Sequence, residues 1–525
     1  MSLSDKRQGR FQGRYMYEEE EILTLNFNDF ENKNIDFLEL KKLISSDKIL
    51  QKKETNFKFE KISIPEIEGL FSACHNYIWK KSGYDPIKAF YEFSKLFFIK
   101  VRLDKRINEV YLSKGIPISE IPKNEFKFSV DWINNQNTIN PINTILFKDD
   151  LLSFLKKEIK KGKRRIFDDN EEIELTSSII KQIVKLLQNI NFYKIDEDLN
   201  GRMFEIFLSS IVRGKELGKY FTPRNVVKFM SKMSGIKVSK DKNKIDKILD
   251  GCCGSGGFLI DAMDYMINEI DSMDDLTNLE IENLKQHLYF NCIWGIDFSP
   301  QNVRTTRMNL WFHQDSSSNV YCMNTLDKEF FIDPSKKEEE KDEIEFLKKS
   351  ILQDELKFDV ILTNPPFSSS FKMDEEEDKK IIEQYDISFK GLDKKKNERV
   401  NTLKSNVMFI ERYYDLLEEK GKLLTVIDES VLNADKEKDY RKFIMDKFII
   451  KAVISLPRNT FTNADTTTKT SILYLRKKKS PEETQPPIFM AISKNIGHSD
   501  SGKPEPEKCD LWKILEEFKK WENGN

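Results

Sequence analysis

A chain of 525 residues is too long for one core, and the length points to two or three domains. Apolar residues make up 39%, enough for packed domains, while 33% charged residues nearly cancel to a formal net charge of −2. That excludes an overtly basic nucleic-acid-binding protein, so any positive surface is local or supplied by a partner. Six cysteines without a CxxC pair exclude a disulfide framework, and four scattered histidines give no zinc spacing or other metal set.

Neither a signal peptide nor a long apolar span is evident, so a soluble, cytoplasmic protein with no membrane partner is expected. Residues 1–55 are polar, with charge runs such as Glu18 to Glu21, and read as a partly ordered arm. Residues 56–200 carry helical spacing: Ile67, Leu70, Phe71, Cys74, Tyr77 and Ile78 share one face, and Phe90, Phe93, Leu96 and Phe97 another. A third stripe runs from Ile179 to Ile190, and Pro117, Pro122 and Pro141 interrupt the pattern. His75 lies on the apolar face of the first helix and reads as a core histidine.

Residues 201–480 read as the catalytic domain. A fourth stripe, Met203 to Ile211, leads to Gly218-Lys219-Tyr220-Phe221-Thr222-Pro223-Arg224, where Thr222 is expected to cap a helix with Pro223 at its first position. Then Ile248-Leu249-Asp250 forms a short strand ending in an acid, and Gly251 to Gly257 a tight turn before an amphipathic helix. Its glycines admit close approach of a ligand and the helix N-terminus offers N–H groups. The dinucleotide pattern GxGxxG fails, because Leu259 stands where the third glycine belongs. The turn suits the carboxylate and amine of a methionine-like ligand, with Asp250, Gly254, Ser255, Gly256 and Gly257 lining it. A second strand ends in Asp297, the expected partner of ribose hydroxyls, and a third leads to Asn324, read equally as a purine contact or a turn residue.

The strand Phe358 to Thr363 runs into Asn364-Pro365-Pro366-Phe367. Neither proline can donate to a ladder, so the chain leaves the sheet as a stiff loop at the carboxyl edge. That loop offers an amide oxygen, a backbone carbonyl and an aromatic face. The exocyclic amine of adenine is a poor nucleophile because its lone pair is delocalised into the ring. Two acceptors, Asn364 Oδ1 and the Pro365 carbonyl, would draw the nitrogen toward tetrahedral geometry while Phe367 stacks on the base. Residues 372–399, directly beyond, are charge-rich and read as a solvated loop or exposed helix, with a mobile lid as the rival. Alternation of helix and strand then resumes. The last two strands, near 449–456 and 470–475, look like an antiparallel hairpin at the edge of a mostly parallel sheet. Residues 481–525 form a tail whose stripe, Leu511 to Trp521, wants a partner within the chain or outside it.

With these motifs, the chain resembles the modification (M) subunit of type I DNA restriction–modification systems, a family of adenine-N6 methyltransferases. Asp250 to Phe258 is similar to its cofactor loop, usually Asp-Pro-x-Cys-Gly-Ser/Thr-Gly-Gly-Phe. Gly218 to Arg224 is similar to Gly-x-Tyr-Phe-Thr-Pro-Arg, Asn364 to Phe367 to Asn-Pro-Pro-Phe, and Leu456 to Phe461 to Leu-Pro-x-x-x-Phe. Departures are Gly251 for proline, Asn324 for an acid and Lys219 for glutamine. The resemblance implies a Rossmann-like, S-adenosylmethionine-dependent methyltransferase domain behind the helical one. The cofactor would lie over Asp250 to Gly257, with its ribose on Asp297 and its methionine end near Lys219 to Arg224. It also implies DNA and a specificity (S) subunit as partners, two copies of this chain per specificity subunit, and a restriction (R) subunit in the same assembly; the tail helix would serve subunit contacts. The residues leave open a stand-alone DNA amino-methyltransferase acting on adenine N6 or cytosine N4, methylation of a glutamine amide, and a non-catalytic assembly subunit.

Overall fold

The computed structural model describes residues 59–193 and 222–524, apart from breaks at 61, 161–163, 315–318, 368, 465–467 and 500–504. The arm 1–55, the stripe 203–211 and residues 219–221 lie outside the described residues. Contacts separate a large unit, Phe59–Lys114 with Asn124–Asn525, from a small one whose described part, 115–123, is a loop with a 3-10 turn at Ile118–Glu120. The helical core, the sheet and the candidate site all belong to the large unit.

The first two apolar stripes become helices Ile64–Ser82 and Pro86–Val110, and the third becomes Ser177–Leu187. Asp85 accepts from the backbone N–H groups of Ile87 and Lys88 and so starts the second helix. Between the stripes the sequence reading found only breaks, yet Pro141 opens a π-helical run, Ile142–Leu152, continued by Ser153–Lys160. Phe71, Phe93, Phe97 and Phe192 interlock at this core, and His75 is buried with Nε2 2.9 Å from the Pro86 carbonyl.

Behind it stands an eight-stranded sheet. Five strands, β1 (Ile248–Asp250), β2 (Ile293–Asp297), β3 (Asn319–Cys322), β4 (Phe358–Thr363) and β7 (Leu417–Asp428), run parallel in the order β3-β2-β1-β4-β7. Two more, β5 (Ser370–Lys372) and β6 (Thr402–Lys404), make a separate antiparallel ribbon. Strands β8 (Phe448–Ser455) and β9 (Thr470–Lys477) are the expected antiparallel pair, but β9 lies inside, between β7 and β8. The edge belongs to β10 (Phe489–Ile492), parallel to β8 and absent from the sequence reading. Four residues with Met490 and Ile492 facing out carry too little periodicity to be read as a strand.

Two helices join these layers. Pro300–Gln314 contributes Met308 and Trp311 to the helical core, where Trp311 stacks on Phe98 at 4.1 Å between centroids, and Val303 and Leu310 to the core behind the sheet. Leu511–Gly524 finds its partner inside the chain: Leu511, Leu515 and Phe518 are buried against the same core as the helix Arg224–Ser234. No described helix is long and apolar enough to cross a membrane. Phe518 is 1% exposed and meets Tyr474, Phe489 and Trp521. Phe518→Ala should therefore lower stability by about 3 kcal/mol, read as an earlier midpoint in denaturant unfolding.

Candidate active site

Strands β1 and β4 are parallel neighbours, with Ile248 opposite Val360 and Leu249 opposite Ile361. The chain runs outward to β3 on one side and then crosses back to β4, so this pair marks the reversal of strand order. The loops after Asp250 and Thr363 therefore leave the same edge of the sheet side by side. The glycine turn and Asn364 to Phe367 share one crevice.

The turn is gripped from behind. Gly254 and Gly256 have φ of 53° and 86°, and Gly256 N–H donates to the Cys253 carbonyl at 2.7 Å. Side chains take up three of its carbonyls: Thr325 Oγ1 donates to Gly251 at 2.6 Å, Thr306 Oγ1 to Gly254 at 2.7 Å and Asn309 Nδ2 to Ser255 at 3.0 Å. A Cβ on Gly256 would come within 2.9 Å of Thr306. Helix Gly257–Asp271 comes next. Asp297 braces the turn too: Oδ2 accepts Gly254 N–H at 2.9 Å, and Oδ1 accepts from Ser299 N–H and Asn302 Nδ2. Burial raises its carboxyl, against those three donors.

Asp250 is 1% exposed and accepts Cys252 N–H at 3.0 Å. Burial lifts its carboxyl to about 7, while that N–H and the Thr363 hydroxyl pull the other way and the Asp297 charge adds to the rise. Gly251, where the resembling family has proline, touches Tyr413: a Cβ there would lie 2.7 Å from both the ring and its hydroxyl. The departure is a matter of space, because a buried tyrosine occupies what the larger residue would need.

Across the crevice Pro365 is buried, Pro366 exposed and Phe367 half-buried, and the described peptide bonds are all trans. Ser405 Oγ donates to the Pro366 carbonyl at 3.1 Å. Phe367 meets Phe461 edge to face, 5.8 Å between centroids at 70°, which brings the late Leu-Pro-x-x-x-Phe stretch onto the same loop. Asn364 Nδ2 donates to Thr222 Oγ1 at 3.0 Å. Its Oδ1 is buried and meets no hydrogen-bond partner among the described residues. Thr222 is thus no helix cap: the helix starts at Arg224 with Pro223 in the cap place, and the Pro223 carbonyl accepts from Val226 and Val227. The threonine hydroxyl is engaged by the asparagine amide instead. Arg224 reaches the Gly257 carbonyl at 3.5 Å, so residues 222–224 touch both loops.

Asn324 behaves as a turn residue, its Oδ1 accepting Leu326 N–H at 3.1 Å. The stretch after Phe367 holds the exposed helix its charge suggests, Glu376–Ile382 with Glu376 and Glu377 at the surface, and it is also anchored to the domain. Ile382, Tyr385 and Ile387 are buried, Tyr385 donates to the Leu326 carbonyl at 2.7 Å, and Glu411 accepts from Asp386 and Ile387 N–H groups. Its two ends meet where Ser405 N–H donates to the Ser369 carbonyl at 3.0 Å.

The sequence reading missed Thr306, Asn309, Thr325 and Tyr413, which shape the glycine turn. Thr306 and Asn309 are three apart on one face of a single helix, a signal that was present; Tyr413 carries no signal beyond that of a core aromatic. Phe298, 77% exposed directly after Asp297, was also passed over.

A doubly wound sheet with a glycine turn facing a polar proline loop at the strand-order reversal is the class of α/β fold that binds its ligands at this edge. The chain belongs to the N-6 DNA Methylase family, matching it over residues 195–525, more than half its length. It is 26% identical over 406 residues to the type I restriction enzyme MpnII methylase subunit of Mycoplasma pneumoniae, covering 73% of this chain and 65% of that one. To the EcoEI methylase subunit of Escherichia coli it is 24% identical over 432 residues, with 79% and 76% covered. It thus spans just under two thirds of the MpnII subunit, and 37% of the type II enzyme RM.Eco57I of Escherichia coli, to which it is 26% identical. A modification subunit from Vibrio vulnificus shares the fold with TM-score 0.58 at 16% identity, over 88% of this chain and 91% of that one. So does a type I restriction–modification methyltransferase subunit from Streptococcus thermophilus, at 0.53 and 15%, over 87% and 94%.

Gly251→Ala should strain the turn and lower the melting temperature, and shrinking its neighbour with Tyr413→Leu in the same protein should recover part of the loss; thermal unfolding of the single and double variants checks this. Asp250 sets a pH dependence. Unfolded, its carboxyl titrates near 4, so between about pH 4 and 7 the folded state holds a proton the unfolded state has lost. Its contribution to stability is thus full below pH 4 and lost as pH rises through about 7. The difference in melting temperature between parent and Asp250→Asn should shift in favour of the variant from pH 5 to 8.

Proposed function

We propose that this chain is the modification subunit of a type I restriction–modification complex and methylates N6 of an adenine flipped out of DNA. The observation that carries this is the buried Asn364 Oδ1, an acceptor without a partner at the crevice. A buried acceptor left open costs free energy unless a ligand donor meets it.

The cradle fits S-adenosylmethionine: Tyr413 and Thr306 pack so close behind Gly251 and Gly256 that a Cβ would meet them at 2.7 and 2.9 Å, which holds the turn's backbone for a ligand on its other face, and a Cβ on Gly257 would meet only Val227, at 3.9 Å. Asp250, Gly254, Ser255, Gly256 and Gly257 would hold it, with Lys219 to Arg224 at its methionine end. Asp297 Oδ2 accepts a single bond from the protein and keeps a lone pair for a ribose hydroxyl. Phe298 and Asn324 border the same side. The cofactor supplies an electrophilic methyl group on a sulfonium. Asn364 Oδ1 and the Pro365 carbonyl accept the two N–H groups of the adenine amine and return its lone pair to nitrogen. Phe367 stacks on the base, and Phe461, 3% exposed, stiffens that ring from its edge. Flipping the base costs a few kcal/mol, which stacking and the two hydrogen bonds offset.

The near-neutral chain supports DNA affinity borrowed from a specificity subunit, with two copies of this chain serving one such subunit and a restriction subunit joining them. Tritium transfer from labelled S-adenosylmethionine to unmethylated plasmid DNA tests the reading. Asn364→Ala should lower the rate about 100-fold. Omitting the specificity subunit should abolish site-specific transfer; equal transfer by the chain alone would make it a stand-alone methyltransferase.

A further inference from the structure

Resting on the catalytic reading of Asn364, we infer that Thr222 is a positioning residue that anchors the Asn364 amide so that its oxygen stands free for the substrate. The two ends of a carboxamide are nearly the same size but opposite in hydrogen-bonding sense: the oxygen accepts and the nitrogen donates. Only the oxygen end can accept a hydrogen bond from an exocyclic amine. Turned half a revolution, the side chain would point N–H at N–H, which the substrate's own donors disfavour. A hydroxyl on the far side can pair with either end, so what it fixes is where the amide sits.

Thr222 supplies that hydroxyl, its Oγ1 3.0 Å from Nδ2, and it leaves Oδ1 as the end without a partner among the described residues. The hydroxyl is itself held in place by packing remote from the crevice. Thr222 stands two residues before the helix Arg224–Ser234, whose Asn225 Nδ2 donates to the Ile496 carbonyl at 2.7 Å. The backbone at Gly497 comes so close that a Cβ there would lie 2.4 Å from Asn225 Nδ2. Helix Leu511–Gly524 covers the same element through Leu511, Leu515 and Phe518. The C-terminal segment thus holds the helix that follows the threonine, and the threonine holds the amide. Within a stretch first read as cofactor-binding, this residue belongs to the acceptor side of the reaction.

Methyl transfer from tritiated S-adenosylmethionine to unmethylated plasmid DNA, by the complex with its specificity subunit, reads this out. Thr222→Val keeps the shape and removes the acceptor; it should lower kcat about tenfold with KM for S-adenosylmethionine changed less than about twofold. Thr222→Ser restores the hydroxyl and should bring kcat back to within about twofold of the parent. Added to Asn364→Ala, Thr222→Val should change the residual single-turnover rate less than about twofold, since the group it holds is gone. A raised KM with kcat intact would assign the hydroxyl to the cofactor and overturn the inference. So would an unchanged kcat in Thr222→Val, a serine variant no better than valine, or the full tenfold loss recurring on Asn364→Ala. A fully active Asn364→Ala protein would instead remove the catalytic reading itself.

Discussion

The site depends on the parallel pairing of β1 with β4, strands more than 100 residues apart in the chain. Because the two run the same way, the loops at their carboxyl ends must emerge at the same edge. Because strand order reverses between them, no crossover helix fills the gap above. Every contact at the crevice depends on that: the glycine turn on one lip, Asn364 to Phe367 on the other, and residues 222–224 reaching both. β1 is buried throughout and β4 at every residue but Asp359, so slipping one by a residue would turn apolar side chains out of two layers at once.

Helix Pro300–Gln314 spreads the constraint through the molecule. Toward the sheet it offers Asn302 to Asp297, Thr306 to Gly254 and Asn309 to Ser255. On its other face Arg304 pairs with Glu171, Tyr91 donates to the Gln301 carbonyl, and Trp311 stacks on Phe98. The helical region and the glycine turn therefore bear on one rigid rod. Displacing the Phe97 and Phe98 layer would strain the hydrogen bonds under Gly254 and Ser255. The cluster of half-buried Glu171 with buried Lys95 and Glu92 behind Arg304 makes that face polar and directional.

Most of the strands, and the loops that end them, were readable because each is a short β-branched or apolar run broken by glycine, proline or an acid. Asn364-Pro365-Pro366-Phe367 was legible for the same reason: two prolines forbid a ladder, so the polar residue before them must stand at an edge. Thr222 was misread as a cap because capping is a local rule, while the amide that claims its hydroxyl lies 142 residues away. Position 251 was legible as a departure but not as a spatial exchange, since Tyr413 looks like any other core aromatic until the helix Ser405–Leu416 is placed beside the turn. The charged run 372–399 was legible in part: its helix Glu376–Ile382 exposes acids as the composition suggests, while Ile382, Tyr385 and Ile387, three apolar residues lost among acids and lysines, anchor it.

The stitch from Ser405 to the Ser369 and Pro366 carbonyls has an implication for how such a chain can vary. It closes the excursion at its neck, so the Phe367 ring is insulated from what happens farther out. Insertions or trims around 390–398, beyond the anchored Tyr385 and Ile387, would cost little more than the entropy of a slightly different loop. Diversification could proceed there, next to the crevice, without retuning the strand that carries the asparagine.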